Sequence, residues 1–352
     1  AAASEFIRAY RARFGAETQP LFILGESYGA WRAAGVADFL VKRGVDLAGL
    51  VLVSGGFEGI KMPLAFDQAM NVQARTAAAF YYKRLPPDLM RDRDATIKRV
   101  NDWVNSTYLP ALSHPDDLSA KERSAVVMDL ARFTGVRPDQ IDPESMTMNT
   151  GDFLSGFFGG KKALSDLDMR IVGDAPESPK RALYISQYLR GELGYATDLG
   201  YSGELGYNTN LPYRAIEAGY VPALGLARRS TGMQWLYNQS DNASAALAKD
   251  IPTGDFFDLE AENPPWITNA MKADAGLRVF TATGRYDPTN QCEGLAGSTA
   301  TLDTSLTKRI INRCYEGGHM MYNDPATRAQ LSRDISTFMV DTVNDDSASS
   351  TK

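Results

Sequence analysis

One serine, Ser27, has the surroundings expected of a reactive side chain. It stands at the centre of Gly-Glu-Ser-Tyr-Gly, residues 25–29, which fits the pattern G-x-S-x-G. An apolar run at 20–25 precedes it and a helical spacing of apolar residues follows at about 28–43, so we predict a strand-to-helix corner. Such a corner presents the hydroxyl as a nucleophile at the top of a sheet. A glycine-rich turn with a helix-capping serine is the alternative interpretation.

The neighbours of Ser27 fit the same role. A tight, strained corner brings strand and helix close together, so we expect positions 25 and 29 to have no room for a side chain larger than that of glycine. Tyr28 begins the helix, and the amides of a helix N-terminus attract developing negative charge. The corner therefore predicts a nucleophile together with an oxyanion donor in the backbone of Tyr28.

A serine nucleophile needs a base, and the chain contains two histidines, His114 and His319. His319 lies in a glycine-rich loop after the apolar run 307–315, where the base belongs when the order along the chain is serine, acid, histidine. There it can take the serine proton and later return it. We predict His319 as the base, against the alternative of a structural histidine, and His114 as a solvated loop residue.

The acid that orients the histidine is predicted at Asp287. It ends the strand-like run that begins at 276, and Pro288 is expected to start the next helix. Asp303 and Asp324 are the competing acids, but neither of them ends a strand. A buried carboxylate in this place fixes the tautomer of the base and supports its positive form.

The runs that position these residues alternate between strand and helix patterns. Four apolar runs are predicted as buried parallel strands, at 20–25, 48–54, 276–283 and 307–315. Helical patterns follow at about 28–43, 290–300 and 324–341, and another spans 4–15 with Ser4 as N-cap and Gly15 as its stop. This alternation predicts an α/β fold with an open, mostly parallel sheet.

A long insertion separates the second and third strands. It spans roughly 215 residues, too many for a loop, and much of it has helical periodicity, including a segment with a Ser119–Glu122 capping box that closes on Gly135. Its later part contains two similar twelve-residue stretches at 191–202 and 203–214, predicted as a duplicated surface loop or hairpin rather than a binding site. The resulting organisation is a core at 1–59, a helical lid at 60–270, a second part of the core at 271–343 and a disordered tail at 344–352.

Composition excludes several function classes. The net charge is −6 and no basic stripe is present, which argues against nucleic acid as a partner. No apolar run is long enough to span a bilayer. Two cysteines and two histidines are too few for a metal cluster, and we predict no cofactor.

The two cysteines are placed near the predicted acid and base. Cys292 lies five residues after Asp287, and Cys314 lies five residues before His319. On adjacent parallel strands these positions come within disulfide range. A bridge between the two loops and a pair of free buried thiols are the two interpretations.

Three motifs together carry a family resemblance. GESYGA around Ser27, GRYD at a strand end and GGHMMY around His319 resemble the bacterial branch of the serine carboxypeptidase family, as does the lid segment FDQAMNVQARTAAAFYYKRL. The resemblance extends from about residue 3 to residue 341. It implies an α/β-hydrolase fold with a large helical lid, Ser27 as nucleophile, Asp287 as orienting acid and His319 as base.

The resemblance also implies how a substrate is recognised. Glu26 would bind the C-terminal carboxylate of a peptide with a second glutamate, because two carboxyl groups that share a proton can meet a carboxylate while partly protonated. Met320 would line the pocket for the leaving residue, with a core methionine as the alternative. The implied enzyme removes C-terminal residues, works best in acid, and is secreted or periplasmic.

The chain also departs from the family pattern. Ala30 stands where a glycine is usual, and Met320, Met321 and Tyr322 stand where a proline is common. The strands that precede the serine in the family, with the second oxyanion donor and the partner of Glu26, have no counterpart here. We therefore expect an upstream segment or chain of the same precursor, without which this chain would be poorly soluble and nearly inactive.

Two other function classes remain open at this point. An acyltransferase or esterase on the same scaffold would resolve the acyl-enzyme with an alcohol or act on esters, and the three predicted residues do not distinguish it. A catalytically silent binding partner is the third hypothesis.

Overall fold

The computed structural model describes residues 2–55, 62–160, 162–173 and 265–349, with the single residues 192 and 194. The elements given below belong to one compact unit, built from Ala1–Asp174 and Asn263–Lys352. The first part of the predicted lid is thus in the same unit as the sheet. Apart from residues 192 and 194, the repeat at 191–214 lies outside the described residues.

The helices and strands follow the predicted alternation. In chain order they are α1 Ala2–Phe14, β1 Phe22–Glu26, α2 Tyr28–Val41, β2 Gly49–Val53, α3 Leu64–Tyr81, α4 Arg93–Trp103, α5 Leu109–Ser113, α6 Ala120–Thr134, α7 Thr150–Gly156, β3 Ala163–Leu164, β4 Val172–Gly173, α8 Trp266–Ala273, β5 Arg278–Gly284, α9 Cys292–Ala300, α10 Thr304–Thr307, β6 Ile310–Tyr315 and α11 Pro325–Ser349. Met321–Asn323 forms a 3₁₀ turn between β6 and α11.

Four strands form one parallel sheet in the order β1-β2-β5-β6, which confirms the prediction of a mixed α/β fold with a mostly parallel sheet. Glu26 pairs with Val53, and Val53 pairs with Ala282. The strands therefore end side by side, and the segments that follow them leave the sheet at one edge, called the rim below. In open α/β sheets this carboxyl-end edge is where ligands bind.

Helices cover both faces of the sheet because the strand residues are apolar on both sides. All five residues of β2 are buried. On one face Leu40 of α2 and Ile267 of α8 pack with Leu50, and on the other face Phe338 of α11 packs with Val51. This double cover explains the continuous apolar runs of β2 and β5, which are buried. The prediction of buried strands is wrong for most of β1 and β6, where Leu24 and residues 313–314 are exposed.

Three helix boundaries differ from their predictions. Helix α1 already begins at Ala2, so Ser4 lies buried inside it and does not cap it, whereas Gly15 follows it with φ +62°. Helix α9 begins at Cys292 and not at Pro288, because backbone amides in the intervening turn donate to the Asp287 carboxylate. Helix α11 continues to Ser349, where a disordered tail was predicted from residue 344; no glycine or proline interrupts it.

The described part of the lid is helical and has its own apolar core. The capping box predicted for α6 is confirmed: Ser119 and Glu122 bond reciprocally, and Gly135 ends the helix in a left-handed conformation. Tyr108 and Phe153 are among the buried residues of the lid core. Within the described ranges, none of the helices combines the length and apolarity needed to cross a membrane.

Candidate active site

Ser27 sits at the predicted corner between β1 and α2. Its backbone is strained, with φ 53° and ψ −125°, and its side chain is exposed. The Ser27 amide donates to the Val53 carbonyl at 2.8 Å, which ties the corner to the end of β2. A serine forced into the left-handed region at a rim is typical of a functional constraint.

The two glycines of the corner have different roles. A Cβ at Gly25 would lie 2.1 Å from the Gly29 carbonyl oxygen, so Gly25 has no room for a side chain. A Cβ at Gly29 would meet no described atom within 4 Å. The expectation that both glycines are sterically required is therefore wrong for Gly29, because a Cβ there would point into open space.

His319 and Asp287 form a buried pair at the same rim. The His319 Nδ1 and the Asp287 Oδ2 lie 2.7 Å apart, and Asp287 is 0% exposed. The other oxygen of Asp287, Oδ1, accepts hydrogen bonds from the Thr289 amide, the Thr289 hydroxyl and the Asn290 amide. A carboxylate held in this way places the imidazole proton on Nδ1 and leaves Nε2 able to accept a proton.

The environment of His319 favours its protonated form. The hydrogen bond with Asp287 raises the pKa of His319; burial opposes this, and the charges of Asp287, Glu26 and Asp166 add to the increase. Stabilisation of the imidazolium is what a general base needs when it receives the proton of a nucleophile.

Backbone contacts bring the histidine loop to the serine corner. The Ser54 hydroxyl, directly after β2, donates to the His319 carbonyl. Since Val53 accepts the Ser27 amide, the end of β2 touches both loops. No hydrogen bond between the described residues joins the Ser27 hydroxyl to the imidazole, a contact that in ligand-free enzymes often forms only with bound substrate.

A segment of the lid contacts the turns that carry Asp287 and His319. The sequence analysis did not predict these contacts. The hairpin formed by β3 and β4 places the Leu167 carbonyl 2.6 Å from the His319 amide, which donates to it. In the same hairpin loop, the Met169 amide donates to the Tyr286 carbonyl at 3.0 Å. These are main-chain contacts between distant segments, so side-chain patterns carried no signal for them.

Glu26 has a partner that the sequence analysis did not identify. The Tyr322 hydroxyl donates to Glu26 Oε1 at 2.6 Å. The resemblance assigned this place to a second glutamate, and among the described residues the hydrogen-bond partner is Tyr322 instead. Burial, reinforced by the bond to Glu26, raises the pKa of Tyr322 to about 12, so the phenol stays protonated at physiological pH.

The structure also places the remaining predicted residues. Tyr28 is the first residue of α2, as the oxyanion prediction requires. Met320 is 37% exposed beside His319, so the alternative of a core methionine is wrong. Cys292 and Cys314 form a disulfide with Cα atoms 5.5 Å apart, linking the start of α9 to β6. His114 is exposed at the end of α5.

A cavity of about 180 Å³ opens beside the corner. Gly55, which would place a Cβ 3.4 Å from the Ser27 carbonyl oxygen, and Asn290, which contacts Asp287, both line it. Thr283 lies on its wall, and its buried hydroxyl has no hydrogen-bond partner among the residues that the structure describes. The cavity therefore adjoins both the nucleophile corner and the acid turn.

Comparisons with protein-family models, with curated proteins and with solved structures gave no match. The functional assignment therefore rests on the residues and their geometry. Within the described ranges, no group of three or more His, Cys, Asp or Glu side chains is arranged to hold a metal ion.

Proposed function

We propose that this protein is a serine hydrolase with an α/β-hydrolase fold and that it acts as a carboxypeptidase on peptides. The observation that carries the hydrolase assignment is the buried His319–Asp287 pair, 2.7 Å apart, at the rim where the strained Ser27 lies. The parallel order of the four strands and the sequence order serine, acid, histidine support the fold assignment.

The proposed reaction has two halves. Ser27 Oγ attacks the carbonyl carbon of the scissile peptide bond while His319 Nε2 takes the hydroxyl proton. The oxyanion is met by the α2 N-terminus, beginning with the Tyr28 amide. His319 then gives the proton to the leaving amine, and water attacks the acyl-enzyme with His319 again as the base.

The position of Glu26 supports the release of C-terminal residues. It directly precedes Ser27, and its charge acts on His319, so it is close to the reacting groups. Its hydrogen bond with Tyr322 supports a role for this pair in binding a terminal carboxylate. Met320, exposed beside His319, would contact the leaving residue.

We also propose that another strand covers β1. This strand lies at the end of the described sheet and Leu24 on it is 60% exposed. An exposed apolar edge of this kind needs a cover. An upstream segment or chain of the same precursor would supply it together with a second oxyanion donor, and the disulfide favours a secreted or periplasmic location.

The proposed function is tested with the natively purified protein and a fluorophosphonate probe. We expect the probe to label Ser27, and Ser27→Ala and His319→Ala to abolish labelling, while Ser106→Ala on the exposed lid surface has no effect. Peptides should then lose residues from the C-terminus one at a time, measured by mass spectrometry.

Other outcomes identify the alternatives. Labelling with transfer to an alcohol or cleavage of esters, but without peptide cleavage, would indicate an acyltransferase or esterase. Absence of labelling in natively purified protein would contradict the hydrolase assignment and favour a silent binding partner.

A further inference from the structure

We infer that Tyr322 is a positioning residue that holds Glu26 for recognition of the substrate's terminal carboxylate. The inference rests on the proposed carboxypeptidase function and deepens it, because it names the group that orients Glu26. The two residues are 296 positions apart in sequence and meet at the rim, where the Tyr322 hydroxyl lies 2.6 Å from Glu26 Oε1.

Both partners of this hydrogen bond are fixed by their backbones. Glu26 is the last residue of β1 and pairs with Val53 of β2. Tyr322 lies in the 3₁₀ turn Met321–Asn323, and Arg328 donates to its carbonyl from the first turns of α11. A hydrogen bond between two such anchors restricts the Glu26 side chain to one orientation.

The geometry distinguishes the two oxygens of Glu26. Oε1 accepts the phenol proton, whereas Oε2 has no hydrogen-bond partner in the described part of the chain. Oε2 is therefore the oxygen that can face the substrate carboxylate. A carboxyl–carboxylate hydrogen bond at Oε2 needs one proton between the two groups, and the phenol keeps its own proton.

A tyrosine suits this role because it supplies a donor without a second negative charge. The terminal carboxylate of a peptide is negative, so an ionised second glutamate beside Glu26 would repel it. The phenol of Tyr322 remains neutral and protonated at every pH where peptides are ordinarily cleaved. The site thus performs with a glutamate and a tyrosine what the family resemblance assigned to two glutamates.

The position of Tyr322 also links recognition to the base. It lies three residues after His319, in the segment that connects the histidine loop to α11. Met321, between them, is buried against Gly317, where a Cβ would lie 2.4 Å from the Met321 Cβ. Tyr322, which bonds to Glu26, and His319 therefore lie in one short segment.

The test compares two substrates that differ only in the group to be recognised. Wild type, Tyr322→Phe, Glu26→Gln and the double variant are assayed on a blocked dipeptide with a free C-terminal carboxylate and on its C-terminal amide. We expect Tyr322→Phe to lower kcat/KM for the acid by about tenfold or more, as for loss of a hydrogen bond to a charged group. Turnover of the amide should fall much less than turnover of the acid.

The controls separate positioning from a structural role. Tyr10→Phe removes the phenol of an exposed tyrosine on α1 and should change the turnover of neither substrate. Glu26→Gln should show the same loss of preference for the acid. The double variant should have nearly the same kcat/KM for the acid as Glu26→Gln alone. Binding of the acid and amide to Ser27→Ala, measured by calorimetry, gives the same comparison without turnover.

The possible negative results distinguish the positioning role of Tyr322 from the carboxypeptidase proposal. If Tyr322→Phe lowers acid and amide turnover equally, or leaves the preference for the acid intact, the positioning role is wrong. If wild type labels at Ser27 but does not prefer the acid over the amide in turnover or in binding, the carboxypeptidase proposal itself is wrong.

Discussion

At the scale of single residues, the charges around His319 set the expected pH dependence. Only neutral imidazole can accept the Ser27 proton, and the hydrogen bond to Asp287 raises the pKa of His319. Reaction at Ser27 should therefore slow as the pH falls through that pKa. This runs against the acid optimum that the family resemblance implies. The rate of peptide cleavage measured against pH checks it, because the acid limb of the profile should follow the titration of His319.

Substitution of Asp287 tests this electrostatic arrangement. In Asp287→Asn the imidazole loses the carboxylate that raises its pKa and fixes its tautomer. We expect labelling of Ser27 to slow by about four orders of magnitude, and the pKa of His319 to move down toward its usual value near 6.5. The labelling rate is measured against pH, and the imidazole is titrated by NMR.

Asp303→Asn is the control, because Asp303 is one of the two competing acids and the structure places it at the start of α10. Equal losses in the two variants would show that Asp287 has no special relation to His319.

At the scale of elements, close backbone approaches determine how the loops reach the rim. Gly25 is packed against the Gly29 carbonyl at the serine corner. At the base loop a Cβ on Gly284 would lie 2.1 Å from the Gly318 carbonyl oxygen, and one on Gly318 would lie 2.4 Å from the Asp168 Cβ. Strand β5, the histidine loop and the lid hairpin can approach this closely only where side chains are absent.

The serine corner offers a matched pair of glycine substitutions. Gly25→Ala forces a Cβ against the backbone and should lower the free energy of unfolding by about 1–3 kcal/mol or more. Labelling at Ser27 should be lost as well. Gly29→Ala adds the same methyl group in open space and should be neutral or stabilising by up to about 1 kcal/mol, because alanine is a better helix former. Urea denaturation measures both, and similar costs would contradict the packing at this corner.

At the scale of the whole molecule, the end of the described sheet at β1 carries exposed apolar surface. Leu24 on this strand is 60% exposed, and the aromatic side chains of Phe6 and Phe14 on α1 are exposed as well. Edge strands with apolar side chains recruit further strands, either from a natural partner or from copies of the same protein. The proposed upstream segment and self-association are thus alternative ways of covering the same edge.

A charge at this edge should reduce self-association of the chain expressed by itself. We expect Leu24→Lys to shift the protein from aggregates toward monomer in size-exclusion chromatography with light scattering, because a lysine blocks pairing at an edge. Leu64→Lys is the control, since Leu64 is 72% exposed at the start of a helix and not on a strand. An equal effect of both would indicate general solubility rather than protection of the β1 edge.

Much of this protein is determined by local sequence. The four apolar runs specify strands, Gly25 specifies a tight corner, and the capping box of α6 specifies the start of a helix, because each depends on residues adjacent in the chain. The positions of Ser27, Asp287 and His319 at one edge of the sheet could likewise be predicted, because each follows a strand and parallel strands bring their carboxyl ends to one edge.

Only the tertiary structure decided what meets at that edge. The bond from Tyr322 to Glu26 and the main-chain contacts of the lid hairpin with His319 and Tyr286 join segments more than a hundred residues apart. Contacts of this kind depend on how the packed elements are oriented in space, and no periodicity or local motif encodes them. The sequence therefore identifies the reacting groups, while the packing of distant segments determines how they are held.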